Sequence, residues 1–297
     1  MNSLLRLGKM VCLLVTAMLA TSAFAFAAEP GTDWDNQLIT VTGTGVAPQN
    51  AVNPAQARML ARRAAVADGY RQLAEVVRGV QVDSETTVES MMVTSDIVKT
   101  KVSAMIQGAR VVSERVVPGG GYEVTMQVSM FGVSNSVASA VITPPAEIKP
   151  FPAPAPEVIP SLPADSNDGA IEQYGTLGGN ANASPMAAIG GYTGLIVDCR
   201  GLGLQPVMSP VIKNEKGIPI YGHENLNYDL VVKDGMVGYA KDRSMASRAG
   251  ARPLVMKAVA LMDHNANPVL SVADANRVLI ENGASGFLNQ THVVLLR

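Results

Sequence analysis

Cysteine is nearly missing from this chain: Cys12 and Cys199 are the only two. Cys12 lies in an N-terminal apolar stretch that reads as removable, so one thiol remains and no intramolecular disulfide can form. The protein must be held by ordinary packed cores, and 297 residues suffice for two of them. Aromatic residues are scarce as well, at 4% with a single tryptophan, which argues against a site built on stacked sugar rings. Cations are not in excess: 23 Lys and Arg stand against 25 Asp and Glu, with no basic cluster, so nucleic acid is not an expected partner. Three histidines offer little for a metal site. His223-Glu224 lacks the second histidine of an H-E-x-x-H helix, and Asp263-His264 sits in the turn-like run "LMDHNANP", so neither a metal nor a cofactor is expected. Beyond residue 28 no apolar run approaches the ~20 residues that span a bilayer.

What is present begins with "MNSLLRLGKMVCLLVTAMLATSAFAFAA". Arg6 and Lys9 precede an apolar run from Met10 to about Ala20, and small residues close the stretch at Ala25-Phe26-Ala27. This is the layout of a secretory signal peptide over residues 1–27. Cys12 falls inside its apolar run and leaves with it. An exported, mildly acidic mature chain without a transmembrane segment is expected.

Composition changes again between Thr143 and Gly191. "TPPAEIKPFPAPAPEVIPSLPADS" holds eight of the 18 prolines, and "GTLGGNANASPMAAIGG" follows. Proline lacks an amide donor and restricts its predecessor, so this run forms neither helix nor central strand. It reads as an extended, semi-rigid linker with a flexible continuation, over 143–191. The expected fold is therefore α+β: two small α+β domains, residues 38–142 and 192–297, joined by a Pro/Ala/Gly-rich linker.

In the first domain "QLITVTGTGVAP" alternates as a strand does. Asn53-Pro54 opens a helix with an N-cap and a first-turn proline; Met59, Val66, Tyr70, Leu73 and Val77 form its expected apolar side, and Gly79 its stop. "VQVDSETTVES" reads as a strand. Ser95-Asp96 starts a second helix, with Val98, Val102 and Met105 inward, ending at Gly108. "ARVVSERVVP" and "GYEVTMQVSMF" read as a hairpin around three glycines, with Val124, Met126 and Val128 on the buried side. "SNSVASAVI" reads as a short helix. In the second domain "GLIVDC" is a strand and "PVIKNEKGIPIYG" a hairpin. "YDLVVKDGMVGYA" reads as two short apolar runs about an Asp234-Gly235 turn, and "RPLVMKAVALMD" as one long strand. Ser271 to Asp274 has capping-box spacing, opening a helix that stops at Gly283. "THVVLLR" is a last strand. Strands with few helices give α+β and not a doubly wound domain.

The succession "AQARMLARRAAVADGYRQLAEVVRGVQVD", "IQGARVVSERVV" and "GGYEVTMQVSMFG" resembles the Lpp-twenty family of bacterial cell-envelope lipoproteins. More distantly it resembles the N-terminal domain of a flagellar outer-membrane ring protein. The matching positions are Ala65, Asp68, Arg71, Leu73, Glu75, Gly108, Ala109, Val111, Val112, Tyr122, Glu123 and Val124. The resemblance implies a small envelope α+β domain with no catalytic residues to transfer. A lipid-attachment cysteine, which the family carries, is lacking here. The "D-x-R-G-L-G" and "G-M-V-G-Y-A" stretches of the second domain look similar to companion domains of such envelope proteins.

The most conspicuous run is "TGLIVDCRGLG", residues 193–203. Gly201-Leu202-Gly203 has no third glycine and no helix to follow, because Gln205-Pro206 intervenes, so it is not a dinucleotide loop. Cys199 has no thiol-enzyme signature around it and reads as a small core residue. Asp198 and Arg200, two apart on a strand, share a face and can pair or present a polar patch. They are the candidate binding residues; catalytic and metal-binding candidates are none. A non-enzymatic cell-envelope protein is expected, with a structural, assembly or protein-interaction role, in contact with other envelope proteins or the cell wall. It would be periplasmic or peripheral to the outer membrane. The alternative is a periplasmic ligand- or glycan-binding module using the C-terminal domain.

Overall fold

The structure, a computed structural model, describes residues 31–156, 158, 161 and 187–297. The expected signal peptide and the middle of the linker lie outside them.

The first domain runs β1 (Gly31–Asp33), β2 (Leu38–Gly45), α1 (Pro54–Arg78), α2 (Val88–Thr94), α3 (Asp96–Gln107), β3 (Arg110–Val117), β4 (Gly121–Ser129) and α4 (Val137–Val141). Its sheet is antiparallel in the order β1-β2-β4-β3. Asn53 caps α1 by accepting the Gln56 amide at 2.8 Å, and Pro54 opens the helix where no amide partner is needed. The buried stripe is Ala61, Ala65, Gly69, Leu73 and Val77, whereas Met59, expected inward, is exposed. Small residues win those positions because β2 meets α1 through Gly43 and Gly45. A Cβ on Gly43 would stand 2.2 Å from the Ala65 carbonyl oxygen. At this separation two more bonds sew helix to strand: Asp68 Oδ2 accepts the Thr44 amide at 2.9 Å, and Gln72 Nε2 donates to the Thr42 carbonyl at 3.1 Å.

"VQVDSETTVES" is not the expected strand. One isolated bridge joins Gln81 to Thr87, and α2 follows. Asp83 Oδ1 accepts the Glu85 and Thr86 amides, and Thr87 and Ser90 form a reciprocal capping box. Side chains that bond the local backbone displace the sheet ladder here.

The second domain runs β5 (Gly194–Asp198), β6 (Ile212–Asn214), β7 (Pro219–Tyr221), α5 (Tyr228–Asp234), β8 (Gly238–Ala240), β9 (Pro253–Lys257), β10 (Ala260–Met262), β11 (Asn267–Leu270), α6 (Val272–Ser285) and β12 (Val293–Leu296). Two sheets divide these strands. One is mixed, in the order β10-β11-β6-β7; the other, β8-β12-β5-β9, is parallel throughout. The parallel sheet is covered on both faces. Leu195, Val197, Leu254, Val293 and Leu295 join the main core, while Ile196, Val294 and Leu296 pack against Ala246 and Ala249.

Three sequence expectations change here. Residues 228–234 form α5, nucleated by Asn227, whose side chain accepts the Asp229 and Leu230 amides. "RPLVMKAVALMD" is broken between β9 and β10, which belong to different sheets. α6 starts at Ser271 as expected but passes Gly283, ending on Gly286 in the left-handed conformation, φ 68°, which glycine adopts at no steric cost.

The two domains touch directly, and one continuous hydrophobic core crosses between them. The Trp34 ring meets Tyr239 edge-on at 5.6 Å, and Phe131 covers Gly235. The amides of Met208 and Ser209 donate to the carbonyls of Gln81 and Val82 at 3.0 and 2.8 Å. Arg297 reaches Asp35 at 3.0 Å. The linker therefore joins the domains without holding them apart. Its proline-rich part lies along the second domain: the Lys149 amide donates to the Glu224 carbonyl at 2.7 Å, and Phe151 stacks parallel to Tyr221.

Candidate functional site

Asp198 closes β5 and Arg200 sits two residues on. Arg200 Nε donates to Asp198 Oδ1 at 2.9 Å and Nη2 to Oδ2 at 2.6 Å; the Arg200 amide also reaches Oδ1 at 3.1 Å. The guanidinium fork holds the Asp198 carboxyl below its ordinary range, against the opposing effect of burial, with Arg243 adding attraction. The expected pairing is met, but Arg200 lies in the turn beyond β5 and not on the strand, so the two do not share a strand face. Their pairing is also what limits them: a ligand carboxylate would have to compete with Asp198 for the same fork. Arg200 remains 47% exposed, so the pair contributes within about 1 kcal/mol to stability. Asp198→Ala is expected to shift the melting temperature by only a few degrees, read by calorimetry; collapse of the domain would contradict this.

Cys199, between them, points into the core and is fully buried. Burial, and secondarily the Asp198 charge, pushes its thiol up to about 12, so it stays protonated at neutral pH and is a poor nucleophile. His292 Nδ1 lies 3.1 Å from the Thr193 carbonyl, at the opposite end of β5, about 20 Å away by strand rise. The expected outcome of treating the native protein with a thiol-reactive disulfide is no labelling until denaturant opens the fold; rapid labelling of native protein would refute the buried placement.

Beyond Arg200 the chain turns through Gly201 and Gly203, at φ 80° and 79°, and no helix follows. An open depression of about 570 Å³ lies there, lined by Gly201, Gly203, Leu204, Lys241 and Arg297. It occupies the carboxyl edge of the parallel sheet, where open α/β sheets commonly receive ligands. Arg297 in it is already tied to Asp35 of the first domain. Among the described residues no group of three His, Cys, Asp or Glu side chains is placed to hold a metal, and no helix is long and apolar enough to cross a membrane.

Sequence reasoning missed a second polar cluster, on α6. Arg277 and Glu281 are 3% and 0% exposed, and Arg277 Nη1 meets Glu281 Oε1 at 3.1 Å. The two carboxylate oxygens accept the amides of Ile189 and Gly190, each at 2.8 Å. Arg277 donates from Nε to the Ser161 carbonyl at 2.9 Å and from Nη1 to the Ala187 carbonyl at 3.1 Å. Asn276 receives the Ala155 amide on Oδ1 and donates to the carbonyls of Ala155 and Val158. One helical turn thus grips the backbone of the linker on both sides of residues 162–186. An i, i+4 Arg/Glu pair looks in sequence like an exposed helix pair, so nothing local announces this burial.

Arg248 was also missed. It is half-buried and forms no ion pair among the described residues, its guanidinium donating to the carbonyls of Asp234, Gly235 and Thr291 and to the Thr291 hydroxyl. The first two close the C-terminal end of α5, where a cation is favoured by the helix dipole. These bonds make it a structural clamp between α5 and the loop before β12.

Residues 44–129 match the family model of the LPP20 lipoprotein, within the span where the sequence resemblance was read. Residues 194–297 match the model of Treponema pallidum Tp0624, second domain. No curated protein matches the chain.

Proposed function

We propose, from an LPP20-like first domain fused to a second domain of the Tp0624 type, that the protein is a non-enzymatic cell-envelope module with an assembly or protein-interaction role. The observation that supports it most is the seam between the domains. Core residues, backbone hydrogen bonds and the Asp35–Arg297 pair join them, so the chain presents one firm surface instead of two tethered ones. Interdomain contacts of this kind limit relative motion, which suits a scaffold that must hold partners in fixed register. An LPP20 match supports an envelope setting, periplasmic or peripheral to the outer membrane, with other envelope proteins or the wall as partners.

A pull-down with the mature chain from envelope extract tests the reading. Recovery of a stoichiometric protein partner is expected, and its loss is expected in a Phe131→Asp variant that splits the seam. A second reading, a periplasmic ligand- or glycan-binding module, is favoured by the depression beside Asp198 and Arg200. It would be preferred if no protein partner were recovered and wall fragments raised the melting temperature in the wild type but not in Asp198→Ala.

A further inference from the structure

β3 is the least protected element of the fold. Among the described residues it pairs with β4 alone, and every residue from Arg110 to Val116 is exposed. α1 packs on β2 and β4. It reaches β3 through Arg62, whose Nε and Nη2 hold Glu114 at 2.6 and 2.8 Å. Val116 is paired with Tyr122 and Val111 with Met126, so both stand on the side of the sheet that α1 covers elsewhere. They are 56% and 41% exposed, and Met59, one turn before Arg62 on α1, is 68% exposed. Exposed apolar side chains thus stand on both the helix and the edge strand. Along the outer rim of the strand, half of the β3 backbone donors and acceptors point away from β4.

The hydrogen-bonding demand of that rim selects an extended chain as occupant, and charge selects which one. A bulge at Val112 sets Glu114 and Val116 on the helix side and Ser113, Arg115 and Val117 on the other. A second copy pairing antiparallel about Glu114 or about Arg115 places that residue opposite itself. Like charges directly opposite are destabilising. The two carboxylates beside the edge are each held by an arginine, Glu114 by Arg62 and Glu123 by Arg115. Among the described residues Arg58, four before Arg62 on the same helix stripe, and Arg110, on β3 itself, have no such partner. The rim therefore carries a net positive charge.

We propose that β3 is a docking edge for an acidic, extended segment of another protein. That segment adds a fifth strand to the sheet, setting branched or aromatic side chains against Val111 and Val116 and carboxylates toward the arginines. This rests on the interaction reading above and gives that partner a chemistry.

The test uses two fluorescent ten-residue peptides with the mature chain, one alternating valine and glutamate, the other valine and lysine. The glutamate peptide is expected to bind saturably and the lysine peptide at least about tenfold more weakly, from charge alone. N-methylation of alternate backbone amides in the glutamate peptide is expected to abolish binding, because strand addition needs those donors. Val116→Lys and the pair Arg58→Glu with Arg110→Glu are each expected to weaken binding about tenfold with an unchanged melting temperature. Equal binding of the two peptides, indifference to N-methylation, or no binding of either overturns the proposal. So does a concentration-dependent dimer that Val116→Lys dissociates, which would make a second copy the occupant. A chain that recovers an envelope partner yet ignores both peptides removes β3 from the interaction; a chain that does neither removes the interaction reading as well.

Discussion

Replacing Gly43 by alanine is expected to unfold the N-terminal domain under conditions where the wild type is native. The new Cβ would stand 2.2 Å from the Ala65 carbonyl oxygen, 2.3 Å from the Gly69 nitrogen and 2.7 Å from the Gly69 Cα. All three are backbone atoms, so no side chain can rotate out of the way. α1 would have to rise off β2 by an ångström or more, which breaks the Asp68–Thr44 and Gln72–Thr42 bonds and opens gaps along the Ala61, Ala65 and Leu73 stripe. Overpacking of this kind costs about 3 kcal/mol or more when it cannot be relaxed. Gly201→Ala is the control. It has no atom within 4 Å of its added Cβ but a φ of 80°, so only left-handed strain of about 1–2 kcal/mol opposes it. Thermal melts of the two variants decide the matter: a Gly43→Ala protein as stable as Gly201→Ala would mean that α1 and β2 do not approach so closely.

Glu281→Ala is expected to be nearly as damaging, by a different route. The substitution leaves Arg277 buried without that carboxylate and the amides of Ile189 and Gly190 without their acceptors. Removing one partner of a buried ion pair costs about 3–5 kcal/mol. Glu281→Gln keeps the volume but turns an amide donor toward one of those N–H groups, for a loss of about 1–3 kcal/mol. Limited proteolysis gives the specific readout. In Glu281→Ala the segment 187–191 is expected to be cut before the domain unfolds, whereas in the wild type both begin together. Single variants that melt within about 1 kcal/mol of the wild type would show that the cluster is more open to water than its geometry indicates.

The elements legible in the sequence are those decided by neighbours a few residues away. Asn53-Pro54, Ser95 and Ser271-Asp274 announced three helix starts because a cap bonds an amide two or three residues on. The β3–β4 hairpin was legible from its glycines and from the alternation of Val124, Met126 and Val128. The inward face of α1 was not, because it depends on Gly43 and Gly45 in a strand that precedes it. The two central parallel strands, β5 and β12, carried an unread signal: "GLIV" and "VVLL" are unbroken apolar runs, as burial on two faces requires. Asp198 and Arg200 could be paired from their spacing. The grip on the linker could not, since Arg277 meets Ser161 and Ala187 from 116 and 90 residues away.

The place of β12 in the parallel sheet governs when this protein can become itself. β12 lies between β8 and β5, so β8 has no neighbour to pair with until residues 293–296 arrive. The arginine just beyond them is the one that reaches back 262 positions to Asp35. A chain emerging N-terminus first can assemble β5 with β9 and complete its first domain. It carries an open slot in the second until residues 293–296 are free. Closure of that slot and fastening of the seam are then a single event of high contact order, slow relative to local folding. Up to that moment the second domain lacks the strand that joins its β8 to its β5.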